Sequence, residues 1–478
     1  MSEIDTTRLL TDRYELPESF TYTVAEKAGA YTTARKVLTT LQPDAIKAEV
    51  KAANIRGRGG AGFPAGVKWG FLPPKDPNKP VYLVINADEG EPGTFKDRTI
   101  MEKDPHRLLE GCIITMRAIG AHVTYIYVRG ELVTSIKRLE QAIKDLRSRG
   151  VLGKRPFGID HAMDIHVHPG AGAYICGEET SLLNSLEGFR GEPRLKPPFP
   201  AVAGAFGMPT IVNNVETIAS VPDIMKLGGA AWSALSRLPN DGGTRLYGVS
   251  GHVKKPHVFE GPVGLTLREM IDRCGGMLDE SRPLKGVIPG GSSTPVLKPE
   301  DIVNAPDAAH PLHAWHGKSH IDVPMGVDTM RNLGTMLGTC CAIVMDSSVN
   351  MVEAARNLMR FYHHESCGQC TPCREGTGWL AEICDRLIDG KATEADVDLL
   401  VDVSNNMMGN TICALADGTA MPMLAFVRKY RSEFLAAARE GGVKNGRLDQ
   451  GVAPILKGTA GPSPVGPAAG PSPVGRAA

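Results

Sequence analysis

Short apolar runs alternate with helical stripes through the middle of the chain. Val81 to Asn86 is nearly continuous in apolar residues, as a strand covered on both faces requires, and Val123 to Val128 repeats the pattern. Between Glu131 and Arg149 the positions Leu132, Ile136, Leu139, Ile143 and Leu146 advance by fours and threes, which places them on one face of a helix. Met163, Ile165 and Val167 alternate as a third strand and lead into a glycine turn, with another helix expected from about Glu178. Strand and helix in strict alternation predict a parallel sheet covered by helices.

The texture changes near Gly242. Arg245 to Val253 and Pro256 to Gly261 read as paired strands, Leu267 to Cys274 as a short helix and Leu284 to Pro289 as a returning strand, which is a small β-grasp pattern. From about Asp328 the chain is expected to be mostly helical. The expected organisation is an N-terminal segment and α/β domain over 1–241, the β-grasp domain over 242–327, a helical domain over 328–440 and a tail over 441–478. The tail repeats one Pro/Gly/Ala-rich phrase from Gly461 and again from Gly470, a composition that buries nothing and predicts disorder.

Composition narrows the function classes. A length of 478 residues suits about three domains. Lys plus Arg equals Asp plus Glu at 53 each, so no global field draws the protein to nucleic acid or anionic lipid. No apolar run approaches the roughly 18 residues that span a bilayer, and no direct membrane insertion is expected. The start, Met1-Ser-Glu-Ile-Asp, lacks the build of a signal or transit peptide. The expected compartment is therefore a bacterial-type cytoplasm, where ten cysteines are reduced thiols or metal ligands.

Four of those cysteines stand apart. Cys367, Cys370 and Cys373 repeat at every third position, and Cys413 lies far downstream. Three thiolates on one loop plus a distant fourth is the ligand habit of a cubane iron-sulfur cluster. Zinc also accepts four thiolates, although its structural sites usually pair two Cys-x-x-Cys knuckles. An iron-sulfur cluster absorbs visible light and zinc does not, so a spectrum separates an electron carrier from a non-catalytic zinc assembly protein. Cys112, Cys176, Cys274, Cys340, Cys341 and Cys384 share no ligand spacing and are expected to be core thiols.

Candidate nucleotide chemistry gathers in polar loops. Arg56-Gly57-Arg58-Gly59-Gly60-Ala61-Gly62-Phe63-Pro64 contains Gly-x-Gly-x-x-Gly, but it follows a helix and precedes the first strand, so a standard Rossmann reading is wrong. Its glycines can still bring backbone N–H groups close to an anion, with Arg56, Arg58 and Lys68 nearby; the competing reading is a flexible linker. The segment from Asn86 through Asp88, Glu89 and Glu91 to Arg98 begins where the first strand ends, the edge at which open α/β sheets hold ligands, and could equally be a solvated acidic loop. Gly170 to Thr180, carrying Tyr174, Gly177, Glu178 and Glu179, occupies the equivalent place after the third strand, where one carboxylate could simply cap a helix. Farther on come the rigid Lys196-Pro-Pro-Phe199-Pro and the amide-rich Asn213-Asn214-Val-Glu216-Thr217.

On the stretches Arg56 to Trp69, Asn86 to Arg98, Gly170 to Asn214 and Glu365 to Cys413, the chain resembles the flavin-bearing, NADH-oxidising subunit of respiratory complex I, the 51-kilodalton type. The resemblance covers about residues 10 to 440. It implies a Rossmann-like sheet domain with an atypical glycine-rich FMN loop, a ubiquitin-like β-grasp domain of the SLBB type and a C-terminal helical bundle bearing a 4Fe-4S cluster on Cys367, Cys370, Cys373 and Cys413. It implies FMN among Gly57, Arg58, Gly59, Gly60, Lys68, Asn86, Asp88, Tyr174, Gly177, Glu178, Asn213, Asn214 and Thr217. NADH is implied above the flavin, its adenine between Phe63, Phe71 and Phe199, with Glu91 and Glu179 near the nicotinamide and ribose groups. Hydride would pass from NADH to flavin and electrons singly to the cluster, with no catalytic acid or base. Implied partners are a thioredoxin-like 2Fe-2S subunit and a large iron-sulfur subunit, with quinone reached indirectly and the assembly on the cytoplasmic side of the inner membrane. Diaphorase subunits of NAD-linked hydrogenases or formate dehydrogenases share this chemistry and stay as the alternative.

Overall fold

The computed structural model describes residues 8–443; the tail repeat lies outside the described residues. The first sheet is wholly parallel, in the order β3-β2-β1-β4, from β1 (Tyr82–Ala87), β2 (Val123–Val128), β3 (Asp164–Pro169) and β4 (Thr210–Asn214). Helix Pro105–Ile119 crosses from β1 to β2 and is buried at every position but Arg117, so its charged residues Arg107 and Glu110 lie in the interior along with its apolar ones, where an ordinary surface helix buries one stripe. Asp104 caps its start through the Arg107 amide, and Gly120, at φ 73°, ends it in the left-handed region. The helices Thr32–Thr40 and Pro43–Ala52 pack on its outer side and bury Val37, Leu38, Ile46 and Val50.

The second sheet has the order β6-β5-β8-β7, with β5 (Thr244–Gly251) parallel to β8 (Cys341–Asp346) at the centre and antiparallel β6 (His257–Pro262) and β7 (Leu284–Ile288) at the edges. Thr266 and Glu269 form a capping box that starts its helix, Leu267–Arg273. The helical part holds Met351–Glu365, Thr371–Asp389, Glu394–Met407, Leu415–Lys429 and Arg431–Arg439. Its core, from Met359 and Leu380 to Phe426, is continuous with the face of the first sheet at Val84 and Val212.

Two strands escape the sequence pattern. β4 is only five residues, and its last two, Asn213 and Asn214, carry no apolar signal. β8 lies in the stretch expected to be helical, so the second sheet completes itself beyond the boundary that the sequence pattern places after residue 327. A five-residue apolar run such as Cys341 to Met345 does not distinguish a central strand from a buried helical turn by periodicity.

Candidate functional site

The glycine loop is a closed hairpin. The Gly57 amide donates to the Phe63 carbonyl at 2.9 Å, and Arg56 bridges to Pro64. Gly62 sits at φ 67°, and a Cβ there would meet Val327 Cγ2 at 2.7 Å, so both conformation and packing demand glycine. A flexible linker needs neither. Arg58 enters the site by its backbone: its amide donates to Thr217 Oγ1 at 2.9 Å. Its guanidinium turns inward, wholly buried, to Asp241 Oδ1 at 2.7 Å and the Gly242 carbonyl at 2.9 Å. Arg56 pairs with Asp328 at 3.3 Å. The positive charge expected around this loop is therefore largely spent within the protein.

Three further loops meet the hairpin at the carboxyl edge of the first sheet. Asn86 stands opposite Asn214 in the parallel register of β1 and β4, which brings the strand-end amides together. Asn86 Nδ2 donates to the Gly177 carbonyl at 2.7 Å, tying the loop after β1 to the loop after β3. Asn213 Oδ1 accepts from Trp69 Nε1 at 2.9 Å, and Asn214 caps the helix that carries Thr217. Asp88 is buried among them with its Oδ2 unpartnered, and burial, only partly offset by Arg129, pushes its carboxyl up to about 7. A cleft presenting a buried carboxyl oxygen without a donor, several backbone amides and glycines suits a polar, flat heterocycle with an imide N–H.

Beneath this cleft lies a buried charge network. Lys96, fully enclosed, holds Asp97 Oδ1 and Glu216 Oε2, each at 2.8 Å. Asp97 in turn accepts from Asn214 Nδ2 at 2.6 Å, and Glu89 accepts the Asp97 and Arg98 amides at the start of helix Lys96–Lys103. The segment that could be read as a solvated acidic loop is thus half interior.

The two carboxylates at the start of helix Glu179–Leu186 divide their work. Glu178 Oε2 accepts the amides of Thr180 and Ser181 at 2.8 and 2.9 Å, which is the cap. Glu179 faces Lys68 at 2.7 Å and Lys196 at 3.3 Å. Burial raises its pKa, but these two ammonium groups outweigh it and hold the carboxyl below its ordinary range. Lys196 also reaches Glu178 at 3.0 Å, a role that the sequence pattern does not assign to it. Glu91 accepts from Tyr174 Oη at 2.7 Å and from the Ser293 amide at 2.6 Å, so the second sheet's loop fixes a side chain of the first domain. Phe63, Phe71 and Phe199 are 47, 55 and 58% exposed, and the first two rings lie 5.8 Å apart. Three aromatic faces in water beside a polar cleft suit stacking better than core packing.

Cys370 occupies the cap position of helix Thr371–Asp389, whose Pro372 lies in the first turn, where a missing N–H costs nothing. The Ile412 amide donates to Cys370 Sγ at 3.3 Å and so brings the downstream loop to the upstream one. Burial pushes the Cys413 thiol up to about 12, with Cys373 and Cys367 adding to it; Cys373 is raised by burial and then by Cys367 and Cys370. The loop that carries Cys413 thus meets the loop that carries Cys367, Cys370 and Cys373. Among the described residues no three His, Cys, Asp or Glu side chains close on a single-ion position. The other six cysteines are all buried, and burial raises Cys340 to about 11 and Cys341 and Cys384 to about 12, as inert thiols require.

Three family models match the chain: the Nuo51 FMN-binding domain over residues 50–223, an SLBB domain over 245–313 and the NADH-ubiquinone oxidoreductase-F iron-sulfur binding region over 353–437, which takes in all four cysteines. The second F-type NADH-quinone oxidoreductase subunit of Rhizobium meliloti is 45% identical over 90% of this chain and 98% of its own length. The chain belongs to the family of F-type NADH-quinone oxidoreductase subunits. The mitochondrial NADH dehydrogenase [ubiquinone] flavoprotein 1 of Dictyostelium discoideum is 49% identical over 82% of this chain and 78% of its own. A crystal structure of an NAD+-reducing NiFe-hydrogenase superposes with a TM-score of 0.74 at 31% identity, covering 90% of this chain and 67% of that one. Family membership makes the chain an oxidoreductase subunit in which NADH, FMN and a 4Fe-4S cluster meet, part of a multisubunit assembly. No described helix is long and apolar enough to cross a membrane.

Proposed function

We propose that the cleft between the glycine hairpin and the three strand-end loops holds FMN, that NADH lies over it against Phe63, Phe71 and Phe199, and that Cys367, Cys370, Cys373 and Cys413 hold the cluster. The observation that carries this reading is the convergence of Gly57–Gly60, Asn86–Asp88, Tyr174–Glu178 and Asn213–Thr217 on one sheet edge around the unpartnered Asp88 Oδ2. Bound there, the flavin converts a two-electron hydride donor into a source of single electrons for the cluster. The chain's own residues bind and orient. Asp88 offers its free oxygen to a ring N–H, and with the Gly57 and Arg58 amides held by Phe63 and Thr217, the hairpin amides left for the cofactor's anionic end are those of Gly59 and Gly60. Lys68 and Lys196 keep Glu179 ionised to accept ribose hydroxyls, and Tyr174 and the Ser293 amide hold Glu91 at the nicotinamide end. In the assembly we assign the chain to the electron-entry position of complex I, beside a thioredoxin-like 2Fe-2S subunit and a large iron-sulfur subunit that lead to quinone, on the cytoplasmic side of the inner membrane.

Gly59 tests the cradle. A Cβ there would lie 3.1 Å from Asn214 Cβ, tighter than ordinary contact, and the branches of a valine would project into the same space. Gly59→Val is expected to purify folded, with cluster absorbance intact and flavin below about a tenth of normal occupancy, an affinity loss of more than about 1.4 kcal/mol. Full flavin content in that variant would return the hairpin to a structural role.

A further inference from the structure

The two cofactor regions are joined by a contact that neither binding site explains. Helix Met351–Glu365 ends directly before the cysteine loop, and its last turn faces the loop Gly170–Gly177. Phe361 and Tyr362 meet the Tyr174 ring edge-on, with centroids at 5.2 and 6.1 Å. Glu365 Oε2 accepts the Tyr174 backbone amide at 2.9 Å. Two residues later, the Cys367 carbonyl accepts from Arg190 Nη2 at 3.0 Å, from the segment that follows helix Glu179–Leu186.

Glu365 stands among charges of both signs, with the Arg129 guanidinium within its electrostatic reach. It is the final residue of its helix, at the negative end of the macrodipole. It also faces Asp88, whose carboxyl it helps to raise, although burial is the larger cause there. His364 Nδ1 lies 3.1 Å from Glu365 Oε1. What its other oxygen accepts is the amide of Tyr174, the residue whose side chain reaches Glu91.

We propose that Glu365 is a positioning residue: its hydrogen bond to the Tyr174 amide, with Arg190 on Cys367 beside it, clamps the flavin loop to the cluster loop and fixes the separation across which electrons pass. The inference rests on the placement of FMN and cluster proposed above. Each NADH brings two electrons and a proton with its hydride; the electrons would leave one at a time through the cluster, which would pass the first to the next one-electron carrier of the assembly before accepting the second, and the proton would be released to water. The clamp makes and breaks no covalent bond; it sets only the distance and orientation, to which such transfers are sensitive.

The test uses the full-length protein with both cofactors in place and compares Glu365→Ala, which removes the acceptor, with Glu365→Gln, which keeps an acceptor oxygen and drops the charge. In Glu365→Ala, hydrogen exchange of the peptide containing the Tyr174 amide is expected to accelerate. Cluster reduction, followed by freeze-quench electron paramagnetic resonance after mixing with NADH, should slow by about tenfold. Flavin bleaching and direct ferricyanide reduction should match the unmodified protein, and Glu365→Gln should restore cluster reduction to within about twofold. Unchanged cluster reduction in Glu365→Ala, or equal slowing in both variants, overturns the clamp. Loss of flavin or cluster absorbance from Glu365→Ala overturns it as well, by making Glu365 part of cofactor retention. The placement of the cofactors is checked separately by the occupancies of Gly59→Val and Cys370→Ser.

Discussion

Cys370→Ser is expected to lose nearly all iron-sulfur absorbance and iron while keeping its flavin. A cubane takes four thiolates, and a serine hydroxyl does not ionise to replace one near neutral pH. Cys370 is also the thiol on which the Ile412 amide rests, so its replacement slackens the approach of the Cys413 loop to the other three. Cys413→Ser should lose as much, since the distant ligand closes the set. The flavin should stay because its proposed contacts come from loops at the edge of the first sheet, whereas Cys367, Cys370 and Cys413 are only part-buried at the margin of the helical core. NADH-dependent ferricyanide reduction should persist at least in part, as the flavin reduces that acceptor directly. Visible spectra and iron analysis of both variants decide the matter, and unchanged iron in both removes the four-cysteine assignment.

The chemistry of this chain is legible where it depends on residue type at short spacing, and less so where it depends on what a side chain faces. The triplet Cys367, Cys370 and Cys373 declares itself because ligand spacing on one loop is a local property. The hairpin is separable from a Rossmann turn by its position before β1. Arg58 illustrates the limit. An arginine among glycines reads as an anion ligand, yet only the fold reveals that Asp241, far downstream, turns its guanidinium inward and leaves its amide on Thr217. Lys96 is similar: in a run of charged residues nothing local marks the lysine that becomes fully buried between Asp97 and Glu216. Lys196 escapes notice as a functional residue because its partners, Glu178 and Glu179, come near it only once the loop before β4 folds back; two adjacent carboxylates without a nearby cation are the available signal. The division of labour at Glu178 and Glu179 is legible as a choice, and geometry makes it: one carboxylate caps and the other pairs with Lys68 and Lys196.

In the proposed placement of NADH, Glu179 bears on which nucleotide is oxidised. With Glu178 accepting the Thr180 and Ser181 amides, Glu179 is not needed as a cap, and its neutralisation should leave the melting temperature nearly unchanged. Lys68 and Lys196 hold Glu179 below the ordinary carboxylate range, so it is ionised throughout the neutral region. A carboxylate beside the ribose accepts hydrogen bonds from its hydroxyls and repels a 2′-phosphate, as acidic residues do in NAD-selective folds. At about 5 Å and an effective dielectric of about 20 the repulsion is about 3 kcal/mol per unit charge, or on the order of a hundredfold in selectivity. Glu179→Gln removes that repulsion and also leaves two ammonium groups facing one carboxylate, a surplus of positive charge that a 2′-phosphate would meet. The variant is therefore expected to raise kcat/KM for NADPH by about ten- to a hundredfold while lowering that for NADH only severalfold, with flavin retained. The change should appear mainly in KM, because the ribose lies away from the transferred hydride. Steady-state kinetics with both nucleotides beside a melting curve provide the measurement, and a NADH to NADPH preference equal to that of the unmodified protein would show that Glu179 serves only to anchor Lys68 and Lys196.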